Sequence, residues 1–271
     1  MRFPARTPLM ASLGAATVLT ATLPACGTAP AAKPAASAGK SPAQPASGTR
    51  TANPPPGLPV PVMTSILTRS ARIAAQEPAH IAYTLTTSNH TMDLKGTWAF
   101  DFQNQEAEGT DQGTFSSGSG AHAVPVTSRF IAIGNHVWGE SAPPGVGWHE
   151  MTLTLKPPIP LTDLLPYYTD IHAIPGRLID GHPTTGIVAT LNQAGVNLME
   201  RWAAGQAASA SGQVIQRIRF RIWIGTAHDR PREVQLTEYA AAAAGQPYQI
   251  HETARYYDWG QGLSLRPPAG G

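Results

Sequence analysis

The stretch Val214-Ile-Gln-Arg-Ile-Arg-Phe-Arg-Ile-Trp-Ile224 decides the fold. Ile218, Phe220, Ile222 and Ile224 alternate with Arg217, Arg219 and Arg221. A side-chain period of two puts the first set on one face of a strand and the second on the other. One face is then buried and the other solvated, which is the habit of an antiparallel sheet. Gly225 to Pro231 reads as a turn, and Val234–Tyr239 and Tyr248–Tyr257 read as the last two strands.

Upstream, the same alternation places Ile81, Tyr83 and Leu85 on one strand and Trp98, Phe100 and Phe102 on another. Ser128–Ile133 and His136–Glu140 flank Gly134-Asn135, a hairpin signal. Trp148–Leu155 is a further strand, with His149, Met151, Leu153 and Leu155 on one side. Ile187–Leu191 is a strand after the turn Asp180-Gly-His-Pro183. Two segments carry helical spacing instead. Val62–Ala75 is closed by Pro78, and Ala194–Ala204 has a stripe of Val196, Leu198, Met199 and Trp202. Leu161–Tyr168 is apolar and broken by proline, a short helix or loop, and Gly205–Gly212 is a polar loop. Two helices among hairpin-linked strands make the class α+β.

The chain has 271 residues, of which 42% are hydrophobic, 7% aromatic and only 13% charged, with a single cysteine. This excludes a coiled coil, a charge-driven disordered chain and a disulfide-stapled miniprotein. The net charge of +2 comes from Arg2 and Arg6. From Gly57 onward, 14 positive residues face 17 negative ones. No basic platform for phosphates exists, so a nucleic-acid partner is not expected.

The chain divides at two composition changes. In residues 1–26, Arg2 and Arg6 precede an uncharged apolar run from Leu9 to Leu23. The run is too short to span a bilayer and suits a secretory signal. Residues 27–56 are Ala, Pro, Ser, Gly and Thr with almost nothing to bury, a disordered and semi-stiff tether. Ser37-x-x-Lys40 falls inside that tether, where nothing positions a nucleophile. Residues 57–271 form the folded domain. The junction Leu23-Pro-Ala-Cys26 resembles a bacterial lipobox, with Pro24 where the pattern has a small residue. That resemblance implies acylation of Cys26 and a membrane anchor on the extracytoplasmic face of the cell membrane. The plainer reading is a secretory signal that happens to hold a cysteine.

The last third carries a second resemblance. Arg219-Phe-Arg-Ile-Trp-Ile-Gly225, Asp229-Arg-Pro-Arg232, Val234-Gln-Leu236 and Tyr257-Asp-Trp-Gly260 resemble the closing strands of the actinobacterial LppX/LprA/LprF/LprG lipoproteins, whose fold is akin to the carrier LolA. The helix-then-strand start over 62–87 and Ile133-Gly-Asn-His-Val-Trp138 fit the same plan, and Pro157–Pro160 and Ala240–Ala244 depart from it. The resemblance implies a twisted antiparallel β half-barrel with helices covering the concave face. It also implies an apolar cavity that binds an acylated lipid or glycolipid and serves its transport in the envelope. On periodicity, the candidate lining residues are Trp98, Phe100, Phe102, Leu198, Trp202, Ile218, Phe220 and Ile222.

No catalytic pattern competes with this reading. Nine histidines are scattered without HExxH or i,i+4 spacing, so no metal site is expected. Gly-x-Ser-x-Gly and Gly-x-Gly-x-x-Gly are absent, so neither an esterase nor a dinucleotide cofactor is indicated. Glu106, Glu108 and Asp111 lie in a Gly/Gln/Thr-rich stretch that reads as a solvated turn. Arg217, Arg219 and Arg221 suit either anionic headgroups or simple solubility. Two functions stand open: a lipid-binding envelope lipoprotein, and an envelope sensor or protein-interaction module with a filled core and no lipid. A hydrolase without a recognisable motif is the third and weakest.

Overall fold

A computed structural model of the chain describes residues 57–116, 123–141, 147–151, 161–206, 213–242 and 246–269. The leader, Cys26 and the tether expected over 1–56 lie outside the described residues.

Helix α1 spans Val60–Gln76. Pro61 sits in its first turn, where a proline's missing N–H costs nothing. The helix stops at Glu77, which is extended because Pro78 follows it. Met63, Leu67 and Ala71, at spacings of four, bury one stripe, while Val60 and Val62 stay exposed.

Six strands follow as a meander: β1 (Ala79–Thr87), β2 (Met92–Asp101), β3 (Glu106–Phe115), β4 (Val124–Ile133), β5 (His136–Ser141) and β6 (His149–Met151). The hairpin expected at Gly134-Asn135 joins β4 to β5, with Gly134 at φ 60°. A short helix α2 (Leu161–Leu164) and a 3-10 turn (Leu165–Tyr167) lead into β7 (Tyr168–Ile174), β8 (Leu178–Ile179) and β9 (His182–Leu191). Helix α3 (Gln193–Gln206) comes next, then β10 (Gln213–Gly225), β11 (Pro231–Ala242) and β12 (Pro247–Tyr257).

β12 pairs with β1, which joins the two halves of the chain into one sheet of 12 strands. The order is β6-β5-β4-β3-β2-β1-β12-β11-β10-β9-β7, with β8 on β9. Every described strand pair is antiparallel. Among the described residues β6 and β7 are the ends of the path and do not pair with each other, so the sheet is unclosed. This architecture fits a twisted half-barrel. α1 packs on β7 and β11, and α3 packs on β9 and β10.

Four sequence expectations change. Glu106, Glu108 and Asp111 do not lie in a solvated turn: they belong to β3, and Asp111 is buried. Phe102 lies past the end of β2. The segment read as the turn Asp180–Pro183 is tighter, because β9 already begins at His182. β7 was not visible as a strand, since Tyr168–Ile174 mixes exposed Thr169 and Asp170 with half-buried residues and slips register at β9.

Candidate functional site

Because side chains alternate, pairing register lays the core face out in rows. One row runs Ile187, Ile222, Val234, Ala254, Tyr83, Gly96, Asp111, Ser128 across eight strands. The next runs Ala189, Phe220, Leu236, Glu252, Leu85, Leu94. This face, the buried stripe of α1, and Val196 and Met199 of α3 form one hydrophobic cluster.

The sequence-derived lining residues fall into two patches of that cluster. Ile218, Phe220 and Ile222 stand together on β10, and Tyr168 packs edge-on against Phe220 at 5.5 Å between ring centroids. Trp98 and Phe100 stand on β2, four strands away, in an aromatic patch that extends to Phe130 and to Phe102. Leu198 and Phe102 are half-buried against the cluster. Trp202 is within α3, but its side chain lies outside the described residues. Ile218, Phe220 and Ile222 are each 0% exposed, so protein atoms surround them and no water-sized void adjoins them. On the opposite face Arg217 and Arg221 are exposed, and the Arg217 guanidinium sits 3.9 Å from the Tyr239 ring centre.

Sequence reasoning missed the carboxyl groups on this apolar face. Asp111 accepts hydrogen bonds from the Tyr83 hydroxyl at 2.5 Å, the Trp98 indole N–H at 2.7 Å and the Ser128 hydroxyl at 3.1 Å. Burial raises its pKa, and these three donors oppose the rise by favouring the carboxylate. The Tyr83 phenol is pushed up by burial and by the neighbouring Asp111. Glycines make room for this network. A Cβ on Gly96 would overlap the Tyr83 ring, and one on Gly109 would overlap Trp98 and Phe130.

Glu238 lies on the same face in the other half, between Ile218 of β10 and Ile250 of β12. Burial, then the charge of Glu200 on α3, pushes its carboxyl up to about 8. Tyr248 beside it is raised to about 12, first by burial and then by Glu238. On the outer face, buried Glu233 bridges Arg177 and Arg255 and accepts from Gln235. Among the described residues no three His, Cys, Asp or Glu side chains are grouped to hold a metal, and no helix is long and apolar enough to cross a membrane.

The geometry defines a class before any particular relative: an unclosed antiparallel sheet of 12 strands with helices, which fits a twisted half-barrel. Solved structures similar to it include two mycobacterial lipoproteins. LprF from Mycobacterium bovis superposes with a TM-score of 0.50 at 14% identity, covering 78% of this chain and 99% of that one. The Mycobacterium tuberculosis lipoprotein LppX superposes with a TM-score of 0.51 at 14% identity, covering 77% of this chain and 100% of that one. No protein-family model and no curated sequence matches the chain. The protein therefore has the LppX/LprF-type fold, and at this identity the likeness speaks for the fold alone.

Proposed function

We propose that the protein is a lipoprotein of the cell envelope, anchored through acylated Cys26, whose half-barrel binds an acylated lipid or glycolipid against its concave face. The observation that carries this reading is the length of the largely apolar face, which runs from β9 across β10, β11, β12 and β1 to β2 with only the buried carboxyls of Glu238 and Glu252 set among its hydrophobic side chains on β11 and β12. α1 and α3 cover that face, and residues 27–56 hold the domain off the membrane. Ile218, Phe220 and Ile222 are packed, so an acyl chain binds by taking the place of side chains contributed by the helices. Two of those, Met63 and Met199, are flexible thioethers that repack readily. Exchanging one apolar contact for another keeps most of the ~25 cal/mol per Å² of burial, which makes loading and release reversible.

The same packing favours a second reading, a filled-core interaction module of the envelope. One experiment separates them: native mass spectrometry and organic extraction of the full chain purified from membranes of an actinobacterial host. The lipid reading expects an extractable diacyl or triacyl lipid and an N-terminal peptide that begins with acylated Cys26. A protein that is lipid-free as isolated, and stays so when offered envelope lipids, overturns it in favour of the interaction module.

A further inference from the structure

The outer face of the sheet, opposite the packed core, carries a groove that the lipid reading does not use. It crosses β1, β2, β3 and β4 and encloses about 240 Å³. Its floor is made by short side chains, Ala99 and Thr97 of β2 and Thr110 of β3. One end is a pair of rings, His80 and Tyr257, packed edge-to-face at 5.5 Å. The other is Trp148, whose ring lies 5.3 Å from the Arg129 guanidinium. Glu108 of β3 and Arg129 and Ile131 of β4 also line it.

We propose that this groove is a saccharide site that takes one pyranose ring. Three features point to that chemistry. The first is size: 240 Å³ lies below the roughly 300–1,000 Å³ of sites for drug-sized ligands, and holds one ring rather than an acyl chain. The second is charge. A carboxylate and a guanidinium line the same small space, so an ion of either sign meets a like charge, whereas a neutral ligand with both donors and acceptors meets none. The third is the alternation of ring-lined ends with a middle where the polar Thr97, Thr110, Glu108 and Arg129 stand beside the apolar Ala99 and Ile131. A pyranose presents C–H faces to rings and hydroxyls around its rim, and this groove offers rings at both ends.

Register brings the polar groups within reach of one ring. Thr110 pairs directly with Thr97 on one side and Arg129 on the other, and Glu108 stands two residues along the same face of β3. Directly opposed residues are about 5 Å apart, so hydroxyls on neighbouring carbons can be met from different strands. The Thr97 and Thr110 hydroxyls already touch at 3.2 Å, each keeping capacity for a further bond. Arg129 lies beside Trp148 and forms a 3.7 Å ion pair with Glu140, and its guanidinium fork of N–H donors keeps capacity for a ligand.

The site stands independently of the lipid reading, because it lies on the other side of the sheet. The test uses the full chain in a sugar-free zwitterionic detergent. Methyl glucoside, methyl galactoside, methyl mannoside and methyl N-acetylglucosaminide are titrated by saturation-transfer NMR. The expected result is saturable binding of at least one glycoside. Glu108→Gln and Trp148→Ala should each weaken it by about tenfold or more, with an unchanged thermal midpoint for E108Q. Leu178→Ser, a change at an exposed position outside the groove, should leave the affinity as it was. Extracted lipid should be the same in all variants. Absence of saturable binding by every glycoside, or binding that both groove variants leave intact, overturns the site. Hexanoate bound in place of the glycosides, and lost in the same variants, overturns the ligand class.

Discussion

Replacing Glu238 by Gln should remove a pH dependence from the stability of the protein. Glu238 is 3% exposed, set between Ile218 and Ile250, with the charge of Glu200 acting on it and Tyr248 beside it. Its carboxyl is held at about 8, against about 4.3 for an unfolded glutamate. The folded state therefore keeps a proton that the unfolded chain gives up at lower pH. Stability from this group is fully present below about pH 4 and is lost as pH rises towards 8. Within that window each pH step of one costs about 1.4 kcal/mol. From about pH 5 to about pH 7.5 the loss is roughly 3 kcal/mol, a large share of the ~5–15 kcal/mol that holds a domain together. Gln keeps the shape and both a donor and an acceptor, but has no proton to lose.

The assay is urea unfolding of the two proteins at a series of pH values. With a slope of about 2–3 kcal/mol/M, the wild-type midpoint should fall by roughly 1–1.5 M urea across that range. The E238Q midpoint should stay nearly level, so the curves meet near pH 5 and separate upward. Any other titrating group, Asp111 included, affects both proteins alike and cancels in the difference. Parallel curves with a constant offset would refute the reasoning, because they would mean that Glu238 is ionised in the folded protein at neutral pH.

Asp111→Ala should cost about 3 kcal/mol or more in a thermal or urea melt, since it leaves the Tyr83 hydroxyl, the Trp98 N–H and the Ser128 hydroxyl without their shared acceptor. Asp111→Asn should cost less, because the amide oxygen still accepts. Gly109→Ala should destabilise by about 1–3 kcal/mol, and a change in near-ultraviolet circular dichroism should report the displaced Trp98, because the new methyl overlaps the Trp98 and Phe130 rings.

The strands whose core positions are large and apolar could be read directly. Ile218, Phe220 and Ile222 on β10, and Ile81, Tyr83 and Leu85 on β1, occupy the face that period-two alternation assigns them. The same is true of helix α1, whose expected span differs from Val60–Gln76 by only a residue or two at each end. β3 could not be read this way. Its core positions are Ala107, Gly109, Asp111 and Gly113, small because Tyr83, Trp98 and Phe130 lean over them from neighbouring strands. A strand that lends its volume to its neighbours shows no apolar alternation of its own. The signal was nevertheless present: Glu, Thr and Gln alternate with small residues between β2, which carries Trp98 and Phe100, and β4, which carries Phe130. Glu238 was hidden for a different reason. A carboxylate in a sequence reads as a solvated position; the period of two from Val234 and Leu236 puts Glu238 on their face, but a position near the end of the expected strand hides the burial that its pairing with Ile218 and Ile250 imposes. The outer groove was invisible because its residues come from separate strands and share no motif; Trp148 and Arg129 meet only through the fold.

On the proposed lipid reading, one wall of the fold must yield to an entering acyl chain. β10 is paired on both sides, with β9 and β11, through a ladder of backbone hydrogen bonds that cannot open piecemeal without leaving buried donors unpaired. α1 has no such ladder to its surroundings. It is held by the side chains of Met63, Leu67 and Ala71 and by two ion pairs near its C-terminal half and the β10–β11 turn, Arg69 with Asp229 and Glu77 with Arg230. Partly exposed ion pairs contribute little and weaken further in salt. Ser70, buried on the same side of the helix, has a hydroxyl with no hydrogen-bond partner among the described residues, so the contact it makes there is imperfect. On that proposed reading, the sheet is the fixed wall and the helix the movable one, and an acyl chain that displaced the α1 stripe would replace apolar contacts without breaking a single strand pair.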